Sequence, residues 1–310
     1  MPTEKVTIVE MGLRDGLQNE KVILSTSDRL LILRNLIDAG AKRIELGAFV
    51  SPKWVPQMAG SDEIVEAALD MRKAKLIPRR VEFSVLVPNE KGMLAAIGTG
   101  IEEVAIFAAC SESFSKKNIN CSIEESFRRF EPVMNLAKKN KLKVRGYLST
   151  CFGCPFEGPV PEARVLKLAE RLHKMGCYEI SIGDTIGVAN PAQVQSLFKK
   201  LKKLIPVIKL AAHFHDTRGQ AIANVLMAYQ QGIRVFDASV GGMGGCPYAP
   251  GAAGNVSTED VVYMFRGMGI KTGFDLDKLV AMNPALANKV QHSLSTKVGK
   301  VGVLRPLGKI

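Results

Sequence analysis

Eight short apolar, strand-like runs recur along this chain, beginning near Val6, Arg43, Val81, Glu103, Lys143, Tyr178, Lys209 and Val235, with a helix-like stretch after each. Strands joined through helical crossovers pair in parallel, because each crossover returns the chain to the same end of the sheet. Eight such units close naturally into a (β/α)8 barrel. The expected fold is therefore an α/β TIM barrel. On this reading residues 1–310 form a single domain, with 270–310 as added C-terminal helices packed against the barrel. An open doubly wound sheet is the competing arrangement, but the glycine fingerprint of dinucleotide-binding sheets is missing after the first strand.

Helix ends are readable between the runs. Leu30, Leu33, Leu36 and Ile37 stand at helical spacing in 27–38, which stops at Gly40. Ser122 with Glu125 reads as a capping box for a helix reaching about Asn140. Pro161 opens the next helix and Gly176 closes it, while Asn190 and Pro191 read as an N-cap followed by proline at the first helical position. Gly232 ends the seventh crossover helix, and Ser257 with Asp260 starts another that ends near Gly267.

Composition narrows the classes. Hydrophobic residues at 46% and charged residues at 23% suit a soluble globular chain, and no apolar run approaches the length of a membrane span. The opening MPTEKVTIVE enters a strand-like run without a signal or transit peptide, so a cytoplasmic location is expected. The six cysteines (110, 121, 151, 154, 177 and 246) show no framework spacing, which predicts free thiols. Cys151 and Cys154 form a C-x-x-C, but no second pair completes a zinc site. The net charge of +12 could suit nucleic acid, an anionic membrane or a phosphorylated ligand. Its lysines are dispersed through segments such as KKLKKL (199–204), and aromatics at 6% are too few for stacking platforms. Solvated helix faces are expected, a few meeting an anionic substrate, with neither nucleic acid nor membrane as partner.

The stretch KLAAHFHDTRGQ (209–220) carries the chemistry, with two of the four histidines, His213 and His215, at the end of an apolar run. Positions i and i+2 of a strand face the same way. Two neutral imidazoles side by side are half of a divalent metal site; two core-edge histidines bonded to backbone carbonyls are the plainer alternative. Barrel chemistry gathers at the C-terminal ends of strands. The first strand leads into GLRDGLQNEK (12–21), offering Asp15 as a carboxylate ligand, with Arg14, Gln18 and Lys21 as candidates for binding substrate. The second strand is expected to end at Glu45 and the sixth in SIGDT, placing Asp184 at the mouth. Any such acid could instead be a turn residue or helix cap.

After the eighth strand comes VGGMGGCPYAPGAAGN (240–255), rich in glycine, holding Cys246 and ending in Asn255. Long loops in compact domains are usually functional. The glycines are expected to let this one close over the barrel mouth and bring Cys246 to a substrate. A phosphate cradle is the alternative, but the Gly-Lys-Ser/Thr ending of a P-loop is absent.

Together RDGLQNEK, FVSPKWVPQMA, KKNINCSIEES, GDTIG, HFHDT and GGCPYAPGAAGN closely resemble the 3-hydroxy-3-methylglutaryl-CoA lyase family, from about Val6 to Phe265 and more weakly beyond. The resemblance implies Asp15, His213, His215 and Asn255 as ligands of Mg2+ or Mn2+. It implies Arg14 as the catalytic arginine, Cys246 as the catalytic loop thiol, and Glu45, Asp184 and Glu259 as polar residues of the catalytic site. Ala48 stands where a serine hydroxyl is expected, and no cysteine follows Cys246 to serve a thiol switch.

The implied reaction is cleavage of an acyl-CoA thioester, 3-hydroxy-3-methylglutaryl-CoA, to acetyl-CoA and acetoacetate, as in leucine degradation. The implied assembly is a homodimer or higher homo-oligomer. Such cleavage removes a hydroxyl proton and then stabilises a thioester enolate. A metal on the hydroxyl lowers its pKa, Arg14 can hold charge developing on the thioester oxygen, and Cys246 can protonate the enolate. For the base, Asp15, His213 and water remain open. The alternatives are a lyase for a longer branched 3-hydroxyglutaryl-CoA, a Claisen synthase of the isopropylmalate or homocitrate type, and a basic nucleic-acid-binding protein. The Claisen synthases usually continue RDG through Gln into a Pro-Gly pair, where this chain has Gln18, Asn19 and Glu20.

Overall fold

A computed structural model describes residues 4–245 and 254–303. Eight strands, β1 (Thr7–Glu10), β2 (Arg43–Ala48), β3 (Glu82–Leu86), β4 (Glu103–Ala109), β5 (Lys143–Ser149), β6 (Glu179–Asp184), β7 (Leu210–Phe214) and β8 (Val235–Ala238), pair in chain order into a closed barrel. All pairings are parallel, and β8 returns to β1 in the register Thr7–Val235 to Glu10–Ala238. β7 is buried along its whole length, as a strand covered on both faces must be, which is why it reads as an apolar run.

Helices follow the strands in turn: α1 (Thr26–Asp38), α2 (Ser61–Lys73), α3 (Glu90–Gly98), α4 (Glu112–Ile119) with α5 (Ile123–Asn140), α6 (Glu162–Met175), α7 (Pro191–Leu201), α8 (Ala221–Gln230) and α9 (Thr258–Gly267). Local chemistry sets their ends. Asn190 and Gln193 form a reciprocal capping box with Pro191 inside the first turn, and the Ser257 hydroxyl accepts from the Asp260 N–H. At α5 only half of the expected box forms. The Ser122 hydroxyl accepts from the Glu125 N–H, but the Glu125 carboxylate takes the Arg129 guanidinium one turn on. Pro161 sits just outside α6 as its N-cap. Beyond the barrel, α10 (Leu276–Val290) packs on α1 and α9, and a short α11 (Val298–Val301) follows.

Two local features bear on the site. The segment after β1 is a π-helical turn, Gly12–Gly16, which gives the start of GLRDGLQNEK a defined backbone. β2 continues past Glu45 to Ala48, with a break in its register to β3 between those residues. Leu46 and Ala48 are both buried, and this apolar continuation keeps the chain in the sheet. Glu45 therefore lies within the strand, fully buried, instead of ending it.

Candidate metal centre and active site

The π turn after β1 and the end of β7 bring three side chains together at the C-terminal end of the barrel. Asp15 comes from the π turn, His213 from the last residues of β7, and His215 from just beyond that strand. Asp15, His213 and His215 form the candidate metal-holding group among the described residues. The two Nε2 atoms are 3.1 Å apart, and Asp15 Oδ2 lies 3.8 Å from that of His213 and 3.6 Å from that of His215. Donors gathered at these separations could share one ion, since metal–ligand distances of roughly 2.1 Å in an octahedron put neighbouring ligand atoms about 3 Å apart.

Asn255, beyond the glycine loop, supplies the test of fit. Its backbone bridges to His215, and its Nδ2 donates to Asp15 Oδ2 at 2.8 Å and to the Met243 carbonyl at 3.1 Å. Its Oδ1 is buried with no hydrogen-bond partner among the described residues. An orphaned buried carbonyl is costly unless a cation takes it. Amide oxygen, carboxylate and two imidazoles make a hard-to-borderline donor set, suited to Mg2+ or Mn2+.

Arg14 lies beside this group, buried, with Nη1 donating to Asp15 Oδ1 at 2.6 Å and Nε donating to Glu45 Oε2. Burial opposes its charge, but the carboxylates of Glu45 and Asp15 outweigh that and hold the guanidinium protonated above its ordinary range. Burial likewise pushes Asp15 upward, yet the Arg14 guanidinium and the neighbouring His215 imidazole keep its carboxyl well below the ordinary carboxylate range. Asp15 is thus a strong anionic ligand and a weak base.

Behind the ligands runs a buried polar network that sequence reading missed. His213 Nδ1 lies 3.2 Å from Asp237 Oδ2 on β8. The Asp237 carboxylate also receives the Ser181 hydroxyl and Arg145 Nη2, each at 2.7 Å. Burial acts to raise Asp237, but Arg145 and His213 hold it well below the ordinary range. Arg145 spends Nη1 on the Tyr147 hydroxyl and Nε on Glu179, both at 2.7 Å, and Tyr147 reaches Glu45 at 3.3 Å. The signal that could have found these residues is a charge inside an apolar run, as in KVRGYL and VFDAS: charges there must be paired.

Asp184 and Glu259 are buried near the site, but their oxygens serve the backbone. Asp184 accepts the N–H groups of Val188 and Ala189, holding the turn after β6. Glu259 accepts the Gly241 N–H with both oxygens, and Glu10 accepts those of Gly12 and Val240. From the other side the Gly241 carbonyl accepts from the Ser295 and Thr296 N–H groups. The turn from which the glycine loop departs is therefore clamped by two acids and the C-terminal segment. Cys246 lies outside the described residues; the stems on either side do not. Gly245 accepts from the Asn19 amide, and Gly254 accepts from the Asp216 N–H at 2.9 Å.

A cavity of about 1130 Å³ opens on the group, with Arg14, Asp15, Gln18, His213 and His215 in its lining. Lys116, Lys117 and Arg129 line it as well, as does Trp54, 87% exposed. Lys21 is exposed and is not among the lining residues, so its expected substrate contact does not follow from the structure. Ala48 is buried outside the lining, its N–H on the Ser61 hydroxyl. Cys151 donates to the Leu148 carbonyl and Cys154 pairs with the Ser111 hydroxyl, so the C-x-x-C does not act as a unit. Among the described residues no helix is long and apolar enough to cross a membrane.

The family model described as HMGL-like matches residues 5–285. Hydroxymethylglutaryl-CoA lyase from Pseudomonas mevalonii is 48% identical over 298 residues, covering 96% of either chain. The crystal structure of hydroxymethylglutaryl-CoA lyase from Pseudomonas aeruginosa superposes with a TM-score of 0.90 at 45% identity, over 97% of this chain and 98% of that one. An HMG-CoA lyase from A. baumannii, solved in complex with coenzyme A and 3-methylmalate, superposes with a TM-score of 0.91 at 35% identity, over 99% and 98%.

Proposed function

This chain belongs to the HMGL-like family, and on that premise we propose that it is a carbon–carbon lyase cleaving 3-hydroxy-3-methylglutaryl-CoA to acetyl-CoA and acetoacetate. The observation that carries the reading is the meeting of Asp15, His213 and His215 beside Arg14 in the lining of one cavity, with the Asn255 amide on Asp15. At about 1130 Å³ the cavity exceeds the roughly 300–1,000 Å³ of ordinary small-molecule pockets. That size and the lysines on its wall suit a long thioester carrying phosphates.

Asp15, His213, His215 and Asn255 would hold a divalent cation, Mg2+ or Mn2+, which when bound supplies Lewis acidity to the substrate's tertiary hydroxyl and carboxylate. Arg14 stays cationic through its two acids and offers its guanidinium to the thioester oxygen as negative charge develops there. Glu45 and Tyr147 fix the plane of that guanidinium. Gln18, which lines the same cavity, offers an amide to the substrate. Cys246 delivers a proton from Sγ to the enolate carbon, completing acetyl-CoA. The reading extends to a cytoplasmic homodimer or larger homo-oligomer acting in leucine degradation.

The test is a panel of 3-hydroxyacyl-CoA thioesters given to metal-stripped protein, with and without added Mg2+ or Mn2+. Acetoacetate should form from the methylglutaryl substrate only when metal is restored. Full activity in verified metal-free protein, faster cleavage of a longer branched thioester, or condensation of acetyl-CoA with a 2-oxo acid would each overturn it.

A further inference from the structure

The two imidazoles of the metal centre are not equivalent. His215 Nδ1 is buried with no hydrogen-bond partner among the described residues. His213 Nδ1 faces Asp237 Oδ2 at 3.2 Å. That carboxylate is itself fixed, with Arg145 Nη2 on Oδ1 and the Ser181 hydroxyl on Oδ2, both at 2.7 Å. Arg145 is fully buried and spends its other two arms on Glu179 and Tyr147. The Tyr147 ring in turn stands edge-on to the His213 ring, with centroids 6.4 Å apart.

We infer that Asp237 is a positioning residue which, braced by Arg145, fixes His213 as the Nδ1–H tautomer and so presents a bare Nε2 to the cation. An ionised carboxylate can only accept, so the ring nitrogen facing it must carry the hydrogen. The lone pair then sits on Nε2, which points at His215 Nε2 and Asp15 Oδ2. The opposite tautomer would set two lone pairs against each other at Asp237 and cap Nε2 with a proton. Outer hydrogen bonds of this kind orient metal-ligating histidines and strengthen their donation. The inference rests on His213 being a metal ligand.

Asp237→Asn separates this role from a merely structural one. The carboxylate accepts through both oxygens, so an amide must turn its NH2 either towards Arg145, donor against donor, or towards His213 and Ser181, where it favours the wrong tautomer. Mn2+ affinity, read from the free-ion EPR signal without substrate, should weaken about 10- to 100-fold. Ser181→Ala, which leaves Arg145 and His213 on the carboxylate, should stay within roughly threefold of the wild type. If Asp237 served only to neutralise Arg145, the Asn variant would melt earlier but bind Mn2+ as the wild type does, and that result overturns the inference.

Should Asp237→Asn fail to fold, two-bond 1H–15N correlation of histidine-labelled, metal-free wild-type protein near pH 8 still decides. His213 should show a protonated Nδ1 and a bare Nε2; a protonated Nε2 sinks the proposal. Wild-type protein that binds no Mn2+ at all would remove the metal reading instead, and the tautomer would then be judged by the NMR alone.

Discussion

Asn255 donates its Nδ2–H to Asp15 Oδ2 at 2.8 Å across 240 residues of sequence. That bond joins the far stem of the glycine loop to the π turn after β1, so the centre exists only once β8 has closed on β1. The same amide leaves Oδ1 buried without a partner among the described residues.

Asn255→Ala removes a ligand oxygen and releases Asp15 from one of its restraints. Mn2+ affinity should fall at least about 10-fold, and the Met243 carbonyl loses the Asn255 donor at the same time. Unaltered affinity in an EPR titration would take Asn255 out of the centre.

The loop stems allow a sharper test of the same geometry. Gly244 has φ +103°, a left-handed conformation, and a Cβ there would lie 2.6 Å from Asn255 Nδ2 and 3.0 Å from the Asp15 carbonyl. A Cβ on Gly254 would collide with the Gly244 carbonyl. Both alanine variants should therefore lose metal affinity by displacing Asn255, although neither glycine touches the ion. If Gly254→Ala binds Mn2+ normally and retains turnover, the stems are not held as closely as described.

Arg14 is expected to act on charge that appears only during reaction. Lysine keeps the charge but loses the fork that meets Glu45 and Asp15 together. Arg14→Lys and Arg14→Gln should each lower kcat on the order of 100-fold while KM moves far less. The glutamine variant should also melt earlier, since Glu45 would be left buried without its cation, a loss of about 3 kcal/mol or more. A change confined to KM would make Arg14 a clamp on the ground state.

The legible parts of this molecule are those with one-dimensional signatures. Eight parallel strands buried on both faces read as apolar runs, and each began within a residue of its expected start. His213 and His215 were legible because i and i+2 share a strand face. What escaped depends on closure. Arg145 and Asp237 are 92 residues apart, and nothing local says that one neutralises the other. Glu45 was misplaced because a charged residue reads as the end of a strand, although Leu46 to Ala48 continue it inside the sheet. Asp184 and Glu259 were legible as acids near the site; that their oxygens would be occupied by backbone N–H groups was not.

Cys246 is the thiol proposed to protonate the enolate. Cys246→Ser nearly preserves volume but substitutes a much weaker acid. Turnover should fall roughly 100-fold or more, with Mn2+ affinity and melting temperature unchanged, because a hard site of carboxylate, amide and imidazole has little use for sulfur. Alkylation should inactivate the enzyme, and bound substrate should slow the modification. Near-normal turnover in the serine variant would return this cysteine to packing.

The last prediction concerns pH. Burial pushes Glu10 up to about 7 and Glu259 up to about 8, from an ordinary 4.5. Both sit under the turn that launches the glycine loop, Glu10 on Val240 and Glu259 on Gly241. Between about 4.5 and 8 the folded chain keeps protons that the unfolded chain has released, so their contribution is whole below 4.5 and is lost as pH rises through 7 and 8. Each retained proton contributes a slope of about 1.4 kcal/mol per pH unit. Glu10→Gln cannot ionise, yet its amide oxygen can still accept from Gly12 and Val240 while its NH2 turns to the Thr258 hydroxyl. Urea unfolding across this range should therefore show wild-type stability falling as pH rises and the glutamine variant falling less steeply. Parallel curves for the two proteins would mean that Glu10 is already ionised in the folded state, and that its three donors outweigh its burial.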